Sequence, residues 1–168
     1  MRLFLLAFLV FISCSQSKVE EKKVNFGKEE SIALNQELIE EEELNIDIYL
    51  SHHASWKMTK TGTGLHYYIY KSGSGKKPIP GMKVGVIMNV KLLDDKVCYE
   101  TPKDMIDEFI VDKSNVESGV QEAIKLMKVG DKAKLIIPAH LGHGITGNMD
   151  KIPPLSALIV DIELISAE

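Results

Sequence analysis

The sequence predicts an α+β domain, in which an antiparallel β-sheet packs on one short α-helix and a further helix precedes the sheet. Several short runs alternate apolar and polar residues between turn signals, which is typical of antiparallel strands. Residues 116–128 instead repeat apolar residues at helical spacing. A single amphipathic helix among several such strands is the pattern of an α+β domain.

The composition fits one ordinary globular domain with short appendages. The chain has 168 residues, of which 45% are hydrophobic and 26% are charged. Its formal net charge is -4, and no stretch of the sequence concentrates Lys and Arg. We therefore expect no nucleic acid among its partners.

The first residues have the pattern of a processing signal. Arg2 precedes a short apolar run, 3–12, which is about half of the roughly 20 residues that a membrane-spanning helix needs. The residues Phe-Ile-Ser-Cys that end at Cys14 resemble the bacterial lipobox, in which the cysteine is lipidated and becomes the first mature residue. This predicts a signal peptide at 1–13 and a membrane-anchored lipoprotein of the bacterial envelope that faces the periplasm, with the outer membrane favoured. The alternative is an ordinary cleaved secretion signal.

The cysteine count adds to this prediction. If Cys14 carries lipid, Cys98 has no partner in the chain, and a disulfide framework is not expected. Cys98 is then best interpreted as a small buried apolar residue on a strand.

A tether and a helical extension are predicted next. Residues 14–30 are mainly Ser, Lys and Glu, a composition that favours a flexible tether. Residues 31–55 place apolar side chains at helical spacing after Ser31, which can cap the helix. Like charges in the acidic run 40–43 repel, so we expect a bend or break there. The run can be a solvated face, or a calcium or partner site.

The strands of the predicted domain, 56–168, follow in order. Residues 56–60 and 65–71 form a hairpin through Thr-Gly-Thr-Gly, 84–93 and 97–101 form a second strand pair, and 107–112 form an edge strand. After the helix, 132–138 is a strand that ends at a proline. A long loop with three glycines, 139–150, leads to Pro153-Pro154 and a last apolar strand, 157–165. Loops of this length inside a compact domain are usually functional.

The order of these last features resembles a known family. Met-x-x-Gly-x-x-Ala from Met127, an apolar strand ending in Pro138, a Gly-rich loop, Ile-Pro-Pro and a final Val-Asp-Ile-Glu-Leu are similar to the C-terminal half of FK506-binding-protein (FKBP)-type peptidyl-prolyl cis-trans isomerases. Thr-Gly-Thr-Gly-Leu-x-Tyr from Thr61 resembles the entry to the domain in bacterial members. The resemblance implies a curved sheet wrapped around the helix. With its helical extension, the chain is similar to the gliding-motility-associated lipoprotein isomerases of the Bacteroidetes.

The resemblance also implies a chemistry. Rotation about a peptide bond faces a barrier of roughly 18–20 kcal/mol, because the planar form has charge-separated resonance. An apolar pocket that removes water from the bond before a proline lowers this barrier without acid, base, metal or cofactor. In the family, an aromatic-lined cavity receives the proline ring, and a backbone N–H and a loop tyrosine hold the substrate.

Four catalytic positions follow from the resemblance. An aromatic and acidic pair on the return strand corresponds to Tyr99 and Glu100. The backbone N–H donor before the helix corresponds to Glu117, and the loop tyrosine corresponds to His143, which can donate through a ring nitrogen.

Five substrate-binding positions also follow. Val116 and Ile152 keep the apolar wall, whereas Asn89 replaces a tyrosine, Val120 replaces the floor tryptophan and Val160 replaces a phenylalanine. A floor with less ring area predicts weak isomerisation and weak macrolide binding. The expected clients are unfolded or envelope proteins that contain proline.

Two alternative functions are open at this point, and a metal site also has to be weighed. A non-catalytic chaperone or binding module could use the same pocket to hold its clients. A structural partner in a larger envelope assembly would depend on the 31–53 helix instead. His140 and His143 have the spacing of a metal pair, but no cysteine or carboxylate lies near them in the sequence, and we expect no metal site.

Overall fold

A computed structural model describes residues 27–168, so the predicted signal peptide, Cys14 and most of the predicted tether lie outside the described residues. The described part contains one seven-stranded antiparallel sheet and two α-helices. The strands are β1 Thr59–Lys60, β2 His66–Lys71, β3 Lys83–Leu92, β4 Val97–Glu100, β5 Asp107–Ile110, β6 Lys132–Ile137 and β7 Leu158–Ala167. The helices are α1 Lys28–His52 and α2 Ser118–Leu126.

The sheet has the strand order β1-β2-β6-β7-β3-β4, and β5 pairs with β3 beside β4. β3 pairs with β7 along its whole length, while its other edge is divided between β4 and β5. Irregularities in register interrupt the pairs that β3 makes with β4 and with β7. Such bulges bend strands and increase their twist. The predicted α+β fold, with a curved antiparallel sheet around one short helix, is confirmed.

The main core lies between α2 and the concave face of the sheet. Val120, Ala123 and Ile124 of α2 are at most 2% exposed and belong to the same cluster as the inward residues of the strands. Gly119 allows this approach, because a Cβ atom there would lie 2.5 Å from Cγ2 of Ile137. Close packing of this kind fixes the start of α2 against β6.

A second, smaller core lies on the opposite face of the sheet. Ile46 and Tyr49 of α1 are buried there against Ile136 and Ile159. The sheet is therefore covered on both faces at this position. This explains why β6 carries Ile136 where simple alternation would place a polar residue.

Two expectations for α1 are corrected. The helix begins at Lys28, so residues 28–30 belong to it and not to the tether. Two features stabilise this start: the Glu30 carboxylate accepts the Gly27 N–H at 3.0 Å, and acidic residues in the first turn of a helix are favourable. The helix also continues without a break through 40–43. Glu43 pairs with Lys60 at 2.7 Å and Glu42 accepts the Ala139 N–H at 2.6 Å, which offsets the like-charge repulsion.

Within 27–168, neither helix combines the length and apolarity that crossing a membrane requires.

Candidate functional site

A cleft of about 440 Å³ opens where the start of α2 meets the sheet and the loop between β6 and β7. Its floor is apolar, and its mouth carries polar and charged side chains. The apolar lining residues are Met88, Val90, Val116, Val120, Ile137, Ile152, Leu158 and Val160. A largely apolar hollow with a few polar groups at its edge has the character of a ligand-binding site.

The structure brings together seven of the nine residues that the sequence assigned to the site. They come from β4, from the segment that enters α2, from α2, from the β6–β7 loop and from β7, and are far apart in the sequence. The seven that line the cleft are Tyr99, Val116, Glu117, Val120, His143, Ile152 and Val160.

The positions expected for Asn89 and Glu100 are corrected, since neither lines the cleft. The two residues face each other across the β3–β4 pair. Successive side chains of a strand point to opposite faces, so it is Met88 and Val90, on either side of Asn89, that border the cleft. A difference of one position is enough to move a side chain to the other face of a sheet.

Cys98 is the neighbour of Tyr99 and also borders the cleft. The β3–β4 register shifts here, from Val90 opposite Tyr99 to Lys91 opposite Val97. A bulge of this type interrupts the alternation of a strand, which allows two consecutive side chains to reach one hollow. Cys98 is 6% exposed, and burial raises the pKa of its thiol, so it serves here as an apolar wall residue.

A hydroxyl network that includes Asp107 lies at the mouth of the cleft. The Tyr99 hydroxyl lies 2.8 Å from each oxygen of the Asp107 carboxylate, to which it donates. The Thr101 hydroxyl donates to the same carboxylate at 2.5 Å and accepts the Met88 N–H at 2.9 Å. Burial raises the pKa of Tyr99, and the hydrogen bond to Asp107 raises it further, so the hydroxyl stays a donor at neutral pH. The sequence pattern places Asp107 only on an edge strand, because three of the six residues 107–112 are acidic and none of them stands out.

His143 and Glu117 connect the β6–β7 loop to the start of α2. Nε2 of His143 lies 3.0 Å from Oε1 of Glu117. Among the described residues, the Glu117 backbone N–H has no acceptor, as is usual where a helix begins. The residue that directly precedes α2 therefore presents a free N–H donor beside the apolar floor.

The β6–β7 loop is closed by its own hydrogen bonds. Asn148 accepts the N–H of Ile152 through its side chain at 2.8 Å, and donates its own N–H to the Ile152 carbonyl at 3.0 Å. The Leu155 N–H donates to the Gly144 carbonyl at 3.0 Å. These bonds hold Ile152, which is 5% exposed, as one wall of the cleft.

Contacts outside the cleft hold the start of this loop. Glu42 of α1 accepts the Ala139 N–H, and burial raises the pKa of Glu42 although this hydrogen bond opposes the shift. Nε2 of His140 lies 2.9 Å from the Thr63 carbonyl oxygen. His140 and His143 thus contact different parts of the protein. Among residues 27–168, no three His, Cys, Asp or Glu side chains are grouped as a metal ion would require.

Comparisons with known proteins agree with this architecture. The chain is 38% identical over 104 residues to FK506-binding protein 4 of Dictyostelium discoideum, an alignment that covers 62% of this chain and 28% of that protein. It is 34% identical over 109 residues to the FKBP-type 22 kDa peptidyl-prolyl cis-trans isomerase of Escherichia coli, covering 64% of this chain and 52% of that one. The chain thus spans only part of the length of these curated relatives.

A solved structure and a family model complete the comparison. The crystal structure of FkpA from Escherichia coli matches with a TM-score of 0.65 at 25% identity, covering 86% of this chain and 74% of that one. The model of the FKBP-type peptidyl-prolyl cis-trans isomerase family matches residues 74–165, more than half of the 168-residue chain. This range includes β3 to β6, α2, the cleft loop and most of β7. The chain belongs to the FKBP-type peptidyl-prolyl cis-trans isomerase family.

Proposed function

We propose that this protein catalyses cis–trans isomerisation of the peptide bond before proline in protein clients. The observation that carries the proposal is the free Glu117 N–H beside an apolar hollow at the start of α2. Transfer into this hollow removes water from the peptide bond. Water stabilises the planar, charge-separated form of that bond more than the twisted form, so its removal lowers the barrier to rotation.

Each part of the cleft has a role in this mechanism. The proline ring packs on Val120 and Val160, with Ile152 as a side wall. The Glu117 N–H donates to a substrate carbonyl and holds the chain while the bond turns. His143 can provide a second donor from the loop, and Tyr99 contributes the edge of an aromatic ring at the mouth.

We further propose that the isomerase activity is weak and that macrolides such as FK506 bind poorly. The floor residues Val120 and Val160 are 2% and 1% exposed and offer no aromatic ring. Replacing two large rings by valines removes a few kcal/mol of apolar contact, by the scale of about 25 cal/mol per Å². The same observation favours a second candidate, a non-catalytic module that holds proline-containing segments.

An isomerisation assay on the purified protein tests both candidates. We expect slow but measurable turnover of X-Pro peptides, reduced about tenfold by Tyr99→Ala, because that change removes the aromatic edge and the hydroxyl partner of Asp107. Tyr68→Ala, which removes a ring on β2 away from the cleft, is the matched control and should retain the activity.

The results separate the candidates clearly. Turnover equal to that of efficient family members would contradict the proposal of weak activity. Absence of turnover, with retained binding of the peptides at the cleft, would favour the non-catalytic module.

We also propose that the domain, 56–168, is held at the periplasmic face of a bacterial membrane, with the outer membrane favoured. The support is the lipobox-like sequence at Cys14 and the tether-like composition that follows it. In this location the protein would assist folding of envelope proteins, as its resemblance to the gliding-motility-associated lipoprotein isomerases implies.

Lipidation can be tested directly. We expect Cys14→Ser to move the protein from the membrane fraction to the soluble fraction and to remove the mass of the lipid from the mature N-terminus. Cys98→Ser serves as the control, since its thiol is buried in the domain and no lipid is expected there. The lipid anchor would be contradicted if the Cys14→Ser variant stayed in the membrane fraction and the wild-type protein carried no lipid mass at its N-terminus.

A further inference from the structure

We infer that Asp107 gives the cleft a preference for prolines that have a lysine or arginine as a direct neighbour. The inference rests on the proposed function, because it names the class of substrate that the same cleft would accept. The inference is based on three properties of the Asp107 carboxylate: its position, its fixed orientation and its uncompensated charge.

Asp107 differs from most acids around it in having no cationic partner. Glu108 pairs with Lys83 at 2.8 Å, Asp112 pairs with Lys125 at 2.9 Å, and Glu117 lies 3.0 Å from His143. Among the described residues, no Lys, Arg or His forms an ion pair with Asp107. Its two neighbours, Tyr99 and Thr101, are neutral donors. The negative charge therefore faces the cleft without compensation.

The hydroxyl network fixes this carboxylate and leaves it able to accept more hydrogen bonds. A carboxylate offers about four acceptor positions. Tyr99 and Thr101 donate two hydrogen bonds, so capacity for a substrate cation remains. The Tyr99 and Thr101 hydroxyls hold the carboxylate in one orientation before any substrate binds. The carboxylate therefore need not reorient when it accepts a hydrogen bond from a cation.

The remaining charges of the cleft do not cancel this effect. Lys151 is the one lysine that lines it within the described residues, and Asp150, its neighbour in sequence, lines it as well. These two side chains have opposite formal charges, so together they add no net charge to the cleft. Apolar walls next to Asp107 reduce the screening of its charge, so a cation at the mouth is attracted more than it would be on an open surface.

The flexible side chains of lysine and arginine suit this geometry. A proline ring on Val120 leaves the flanking residues near the mouth, where Tyr99 and Asp107 lie. A long side chain with a charged end can extend along the rim to the carboxylate. Glutamate at the same position would meet a like charge and is expected to be disfavoured.

Peptides that differ only beside the proline test the inference. One set carries Lys, Met or Glu directly before the proline, and a second set carries them directly after it. Binding is followed by NMR titration of the full protein, and isomerisation by exchange NMR on the same samples. In at least one set we expect Lys to be preferred over Met by about three- to fivefold at low salt, and Glu to bind most weakly. High salt should reduce the preference.

Two variants assign the preference to Asp107. Asp107→Asn removes the charge while its remaining oxygen can still accept a hydroxyl, and it should abolish the Lys preference. Glu108→Gln is the matched control, because it removes an equal charge one residue along the strand, outside the cleft, and should leave the ranking unchanged. Tyr99→Phe removes the hydroxyl donor but leaves the Asp107 charge, and should keep the Lys preference. This variant still tests the role of the charge if Asp107→Asn proves unstable.

The outcomes distinguish this inference from the proposed function. Equal binding of the Lys, Met and Glu peptides in both sets, or an unchanged Lys preference in Asp107→Asn, overturns the inference whether or not the peptides isomerise. Binding that favours Lys through Asp107 without any isomerisation supports the inference and overturns the proposed catalysis. Failure of every peptide to bind overturns both.

Discussion

Gly147→Ala is expected to destabilise the protein by about 2–4 kcal/mol and to open the cleft on the side of Ile152. Gly147 has φ 64° and ψ -160°, a conformation that is essentially confined to glycine. A Cβ atom there would overlap the Ile152 carbonyl oxygen and would lie 2.7 Å from the carbonyl carbon of Pro153. Because both contacts are with backbone, no change of rotamer can relieve them, and the segment that carries Ile152 must move.

Gly144→Ala provides a matched control within the same loop. Gly144 also has a positive φ, 62°, but no atom lies within 4 Å of the position of a Cβ atom. This variant should lose only roughly 1 kcal/mol of folding free energy, which is the cost of a left-handed conformation for alanine, and should keep its affinity for proline peptides. Urea denaturation and peptide titration measure the two effects. Equal losses in both variants would show that the close contacts at Gly147 are relieved elsewhere.

Asp131→Asn is expected to cost about 2–4 kcal/mol of folding free energy, although it changes only one atom of the side chain. Asp131 is 3% exposed. Its Oδ1 accepts the Gly73 N–H at 2.5 Å, and its Oδ2 accepts the Lys128 N–H at 2.8 Å. Asparagine has one acceptor oxygen, so its NH₂ group would face a backbone N–H and leave that donor unpaired in the interior.

The loss of stability in Asp131→Asn should appear as a lower midpoint of urea denaturation, with an unchanged dependence of the unfolding free energy on urea concentration. Asp150→Asn makes the same chemical change at an exposed position of the cleft loop and should alter stability by no more than about 0.5 kcal/mol. A midpoint for Asp131→Asn within the error of the wild type would mean that the backbone donors of Gly73 and Lys128 find other acceptors.

Asp131 also shows where sequence reasoning stops. Gly130-Asp131 could be recognised as a turn, because both residues favour turns locally. The partner of Asp131 at Gly73 lies 58 residues away, and no local pattern indicates it. The same holds for Glu42, whose contact with Ala139 spans 97 residues.

Features with a strong local period were predicted well. The strands and α2 have apolar spacings that burial on one face imposes, and their ends were placed within two or three residues of those observed. The apolar residues of the cleft at 116, 120, 152 and 160 were found through resemblance, because they keep their place in the sequence relative to the helix and the Pro-Pro pair.

The residues of β3 and β4 were harder to place. The alternation of Val84, Val86, Met88 and Val90 indicates that Met88 faces the interior, whereas the resemblance to the family pointed to Asn89 beside it. The bulge at Cys98 adds a change of register that period-two reasoning cannot anticipate. No local pattern points to Asp107, because its partners are the hydroxyls of Tyr99 on β4 and of Thr101 just after that strand.

The hydrogen bond from Ala139 to Glu42 joins the middle of α1 to the start of the loop that closes the cleft. α1 is therefore anchored both to the sheet, through Ile46 and Tyr49, and to this loop, through Glu42, and removing the helix would leave the Ala139 N–H without its acceptor.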